Sequence, residues 1–136
     1  MATDDSVTTG APVVADEIVP LNGVNVLHCA PDGPPLDGER AALDLIGDAM
    51  GRDAEVVAVP VARVGEEFFQ LRSGVAGAVM QKFVTYQVRL AVVGDVTRHT
   101  DASAALRDFV HETNQGRHIW FLPDLDTLDE RLRASG

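Results

Sequence analysis

Cysteine is almost missing from this chain: Cys29 is the only one. No internal disulfide or CxxC metal knuckle can form, which excludes thiol-rich chemistry. The four histidines (28, 99, 111 and 118) show neither HxxxH nor HExxH spacing, so no metal site is predicted, and no motif calls for a cofactor. Long apolar runs are also lacking. Stretches such as Leu90 to Val93 are far too short to cross a bilayer. Positive charge is scarce, with 11 basic against 21 acidic residues and a net charge of −10. Such a field repels phosphate backbones and anionic headgroups, which argues against nucleic acid or membrane as partners. Lys82 is the only lysine beside ten arginines, a bias expected of a GC-rich bacterial genome. Met1 to Thr9 carries two aspartates, no basic residue and no apolar stretch, unlike a secretory signal or a transit peptide, so a cytoplasmic location is expected.

What is present is enough for one core. The 136 residues, 46% of them hydrophobic, fit one globular domain, expected over residues 12–134 behind a disordered polar tail at 1–11. Val13 to Val19 and Val24 to Ala30 flank Pro20-Leu-Asn-Gly23, whose Asn-Gly pair suits a turn of positive φ, so a β-hairpin is expected. Three prolines in Pro31 to Pro35 end it, and Asp37 is placed to cap a helix. Ala42, Ile46, Ala49 and Met50 make the apolar stripe of that helix over Gly38 to Met50, with Gly51 as its stop.

Glu55 to Val59 is a continuous run ended by Pro60, the pattern of a central strand buried on both faces. Gly65 to Leu71 predicts a helical turn that buries Phe68 or Phe69. Ser73 then opens a helix with Val75, Val79 and Phe83 on one side. Val88 to Val93 repeats the buried-strand pattern, so the two strands and their helix predict a parallel βαβ unit. Ser103 caps a helix carrying Leu106, Phe109 and Val110. His118 to Leu122 reads as the last strand, and Asp124 caps a final helix with Leu125, Leu128 and Leu132. The expected architecture is α/β: a mixed sheet of about four or five strands with about four helices, a hairpin followed by alternating helix and strand.

The segments Phe68-Phe69-Gln-Leu71-Arg-Ser73-Gly74-Val-Ala-Gly77, Gln81-Lys82-Phe83 and Tyr86 resemble the bacterial family called domain of unknown function 4180. The same holds for Leu90-Ala-Val-Val-Gly94-Asp95, Leu106-Arg107-Asp108-Phe109 and Asn114-Gln-Gly116-Arg117, and the resemblance covers roughly residues 20 to 133. The order of elements is also similar to the STAS fold shared by sulfate-transporter cytoplasmic domains and anti-sigma-factor antagonists. In those antagonists a partner kinase phosphorylates a serine in a Ser-Gly pair at a helix N-terminus, for which Ser73-Gly74 is the counterpart. Arg72 replaces the acidic residue of that pattern and Ala62 to Leu71 is extra, so the resemblance does not carry phosphorylation over to Ser73.

Candidate sites follow from position. Ser73, Gly74 and Gly77 form a helix start where free N–H groups favour an anion and glycines permit close approach; the plain alternative is an N-cap with small residues for packing. Arg72 could support either. Asp95 follows the carboxyl end of a parallel strand, the side on which open α/β sheets place ligands, although an aspartate there often only closes a turn. Arg107, Asn114 and Arg117 could hold a polar ligand or fix a helix end. His28 and Cys29 are adjacent in a strand and so face opposite ways, which leaves one buried thiol and one exposed imidazole rather than a catalytic pair. Trp120 and Phe121 alternate across a strand, and Lys82 is expected to be solvated.

Two functions fit. One is a STAS-like regulatory or protein-binding module that engages a protein partner or its own copy. The other is a cofactor-independent enzyme or small-ligand binder whose pocket is bounded by Ser73, Asp95 and Arg117, which would then be the catalytic residues. An apolar pocket that raises the pKa of Asp95 would favour the second.

Overall fold

The computed structural model describes residues 16–135. The expected tail and the beginning of the first expected strand, up to residue 15, lie outside them. Five strands form one sheet in the order of the chain: β1 (Glu17–Leu21), β2 (Val24–His28), β3 (Val56–Pro60), β4 (Arg89–Val93) and β5 (Ile119–Leu122). β1 and β2 are antiparallel, and every later pair is parallel. The helices are α1 (Glu39–Gly51), α2 (Val75–Tyr86), α3 (Thr97–Ala102), α4 (Ala104–Asn114) and α5 (Leu125–Ser135). The mixed α/β architecture with its leading hairpin and its parallel βαβ unit is therefore as the sequence predicts.

Strand alternation divides the core between two faces. Leu27, Val57, Val59, Leu90, Val92 and Phe121 point to one side, where they meet Ile46 of α1, Val79 and Phe83 of α2 and Leu106 of α4. Val26, Val56, Ala58, Ala91 and Trp120 point to the other, against Leu128 and Leu132 of α5. Right-handed crossovers between sequential neighbours place successive helices on one face, which is why α5 alone is left for the opposite one. β3 is the central strand, and Val56, Val57, Ala58 and Val59 are all fully buried.

Local chemistry explains the boundaries. Asn22 (φ 51°) and Gly23 (φ 78°) both lie at positive φ, so the hairpin turn is of the primed type, whose twist matches the strands. That turn is tighter than the expected Pro20 to Gly23, because Pro20 pairs with Asn25 as part of β1. An edge strand tolerates the missing N–H. Asp37 does not cap α1. The cap position is Gly38, and no side chain bonds there, because Leu36 and Gly65 fix the chain just before it through Leu36 N–H to the Arg63 carbonyl and Gly65 N–H to the Leu36 carbonyl. Gly51 is the last helical residue of α1 rather than its stop, and Asp53 takes the left-handed conformation at φ 60°.

Ser103 and Asp124 do cap: Ser103 Oγ accepts from Leu106 N–H at 3.1 Å, and Asp124 Oδ1 accepts from Thr127 N–H at 2.8 Å. Both Phe68 and Phe69 are buried, in an edge-to-face pair with centroids 5.5 Å apart. The short helix α3 was not anticipated. Its six residues, TRHTDA, carry no apolar stripe from which a period could be read.

Candidate functional site

Two chain segments leave the carboxyl ends of the central strands and then part. After β3 the chain passes through three 3-10 turns, at Val61–Arg63, Glu66–Phe69 and Leu71–Ser73, before α2 begins. After β4 it makes α3 and enters α4. Between them lies an open cleft of about 670 Å³, lined by Glu66, Phe69, Leu71, Arg72, Arg98 and His99, with Ala105 of the first turn of α4 on its wall. The extra segment at Ala62 to Leu71 thus builds one side of the cleft.

The walls are ordered by contacts among themselves. The His99 ring stacks on Phe69, with centroids 4.0 Å apart and planes 9° from parallel. Arg98 Nη2 donates to Glu66 Oε2 at 2.9 Å and lies 3.2 Å from His99 Nε2. A guanidinium has only donors, so any hydrogen bond in this contact runs from Arg98 to the ring nitrogen. Arg72 is exposed and has no ion-pair partner among the described residues.

Of the residues singled out by sequence, Arg72 lines this cleft and the others have other surroundings. Ser73 is not the cap of α2. That position is Gly74, left-handed at φ 79°, while Ser73 Oγ donates to the Glu67 carbonyl at 2.7 Å and accepts from Val75 N–H at 3.2 Å. Gly77 is exposed on α2, and a Cβ there would meet nothing within 4 Å, so close packing does not explain it. Asp95 is exposed and closes a turn, with Oδ1 accepting from Thr97 Oγ1 at 2.6 Å and from Thr97 N–H at 2.9 Å. The hydroxyl bond first and the backbone bond second hold its carboxyl below the usual carboxylate value, opposite to what a general base needs.

Arg117 lies at the other end of the sheet. Leu90 pairs with Ile119, so Arg117 precedes the amino end of β5 and stands roughly 20 Å, about seven residues of strand, from Asp95. The expected pocket of Ser73, Asp95 and Arg117 is therefore not formed. Parallel pairing places the end of one strand and the start of the next on opposite edges. Arg107 is exposed on α4. Asn114 is structural: Phe121 N–H donates to its Oδ1 at 2.6 Å and its Nδ2 donates to the Phe121 carbonyl at 3.0 Å. Its amide thereby closes the free edge of β5.

The remaining expectations concern the core. The Cys29 thiol is buried, and burial first, with the negative charge of Asp16 second, pushes its pKa up to about 12. His28 is partly exposed. Trp120 and Phe121 are both buried, on opposite faces, and the Arg131 guanidinium covers the Trp120 ring at 4.8 Å. Lys82 is half-buried, 3.9 Å from Glu39.

Sequence reasoning missed the one deeply buried charge among the described residues. Arg63 is 4% exposed. Its Nη1 donates to Asp16 Oδ1 at 2.7 Å and to the Ala30 carbonyl at 3.0 Å, and its Nε donates to the Pro34 carbonyl at 2.7 Å. The guanidinium lies so close to Gly33 that a Cβ on that glycine would fall 2.5 Å from Cζ. Burial raises the Asp16 pKa, but the Arg63 hydrogen bond, the Ala30 N–H and the charges of Arg63 and Arg52 outweigh it and leave it lowered. Arg63 thus ties the proline-rich loop to the sheet. No period or motif in the sequence distinguishes it from a surface arginine.

Fold and site together define a small mixed α/β domain with an open cleft at the carboxyl ends of its parallel strands. The chain belongs to the family described as domain of unknown function (DUF4180), whose sequence profile matches residues 21–132. No curated protein and no solved structure matches the chain. Among the described residues no helix is long and apolar enough to cross a membrane, and no three His, Cys, Asp or Glu side chains are grouped to hold a metal ion.

Proposed function

We propose that this protein is a cytoplasmic bacterial module of STAS-like organisation that acts by recognition rather than by catalysis, and that its recognition site is the carboxyl-end cleft. One observation carries the reading. The cleft is open and built from paired and stacked side chains, while Ser73 Oγ and Asp95 Oδ1, from the two residues the sequence offered for chemistry at this end, are engaged by their own turns. A general base held below its ordinary pKa in full solvent gains nothing from its surroundings. The leading hairpin followed by helix–strand alternation, with α1, α2 and α4 on one face, supports the STAS likeness.

A photoreactive amino acid placed at Leu71, on the rim of the cleft, tests the reading in living cells. Intact-mass analysis should reveal an adduct at position 71 and none with the same group at Arg117. Asp95→Asn should leave the adduct unchanged. An adduct confined to position 117, or none at 71, would overturn the proposal.

A further inference from the structure

The charge of the cleft is opposite to that of the chain around it. Arg72 and Arg98 face a single carboxylate, Glu66, across a cleft in a protein of net charge −10. Local positive potential in an otherwise negative field selects for a negative group and against an extended acidic polymer, which the rest of the surface repels. Arg72 brings a guanidinium with no partner among the described residues, and guanidinium forks match carboxylate and phosphate oxygens.

The structure already holds an example of the contact. Glu66 Oε2 sits 2.9 Å from Arg98 Nη2, with the two side chains 70% and 74% exposed. An ion pair so open to water contributes little to stability. A ligand's anionic group could therefore replace Glu66 on Arg98 without opening the fold.

The rest of the cleft offers apolar surface beside the polar groups of Gln70, His99 and Ser103. Leu71 is 37% exposed on its rim, and Ala102 and Ala105 are exposed on its wall behind the Phe69–His99 stack. At about 670 Å³ the space is that of a small-molecule site. Resting on the reading of this cleft as the recognition site, we infer that it binds a small amphipathic anion, whose carboxylate or phosphate head lies on Arg72 and Arg98 and whose apolar body lies along Leu71, Ala102 and Ala105. Glu66 acts as a resident competitor for the head group.

The test is a titration of the full chain, followed by amide chemical shifts, with hexanoate, hexyl phosphate, hexanol and inorganic phosphate as probes. Hexanoate or hexyl phosphate should move the signals of residues 69–72 and 98–105 and saturate, and the tighter of the two identifies the head group. Hexanol and inorganic phosphate should each bind at least tenfold more weakly, because each lacks one half of the ligand. Arg72→Ala combined with Arg98→Ala should cut affinity at least tenfold with the melting temperature unchanged, whereas Glu66→Gln should raise affinity severalfold. Equal binding of hexanol, equal binding of inorganic phosphate, insensitivity to the arginine pair, or no saturable shift in the cleft would each overturn the inference. If the Leu71 adduct still forms after such a failure, only the anion assignment falls. If the adduct is also absent, the recognition reading falls with it.

Discussion

Replacing Arg63 with methionine keeps an apolar stem of the side chain and removes its guanidinium, with its charge and its donors. Three contacts go with them: the ion pair to Asp16 and the hydrogen bonds to the Ala30 and Pro34 carbonyls. Breaking a buried pair by removing one partner costs about 3–5 kcal/mol. Asp16, with 16% of its side chain exposed, regains some hydration, which moves the expectation to the lower half, about 3–4 kcal/mol. In a domain of this size that corresponds to roughly 10–15 °C in melting temperature. Urea unfolding should show the loss in the midpoint with little change in slope, since the same surface is exposed.

The pH dependence carries the sign. The Asp16 carboxyl is held below its ordinary value in the folded state. Its stabilisation is thus complete above the unfolded carboxylate pKa of about 3.9 and is lost as pH falls through the folded value. Without Arg63 the chief lowering influence disappears and burial, which raises the pKa, remains. The decline of stability between about pH 5 and pH 3 should then be shallower in the variant than in the wild-type protein. A loss under 1 kcal/mol, or an unchanged acid slope, would refute the assignment of Arg63 as the anchor of the Pro31–Pro35 loop.

Three further outcomes are expected. Gly77→Ala should stabilise α2 by about 0.5–1 kcal/mol, since the site is open and helical, while Gly74→Ala should cost about 1–2 kcal/mol because of its left-handed φ; denaturant midpoints moving in the same direction would contradict this. Asn114→Ala should cost about 2 kcal/mol for two lost hydrogen bonds and uncover the β5 edge, so light scattering should show more self-association; an equally stable, monodisperse variant would count against the edge-closing role. Cys29, buried with its pKa pushed up to about 12, should stay unreactive toward an aromatic disulfide reagent at pH 8 and react once the chain is unfolded. Rapid stoichiometric reaction of the native protein would show that the thiol is neither buried nor protonated.

What the sequence determined by itself are the features governed by near neighbours. The valine-rich run at Val56 to Val59 needs burial on both faces whatever covers it, and becomes the central strand. Asn22-Gly23 supplies positive φ for a primed turn, and Ser103 and Asp124 reach N–H groups three residues away in their own helices. Even Asp95 bonds only Thr97, two residues on, which is why the turn reading was available alongside the ligand reading. The tertiary structure alone decided what lies across the sheet. Parallel pairing set Arg117 and Asp95 at opposite ends, although both adjoin strands that are neighbours. Arg63 meets Asp16 across 47 residues of chain, and Glu66 meets Arg98 across 32. Contacts at such separations leave no period in the sequence, because they follow from how crossovers stack segments after the strands have paired. The cleft is made of such contacts, and so it became visible only once the chain was folded.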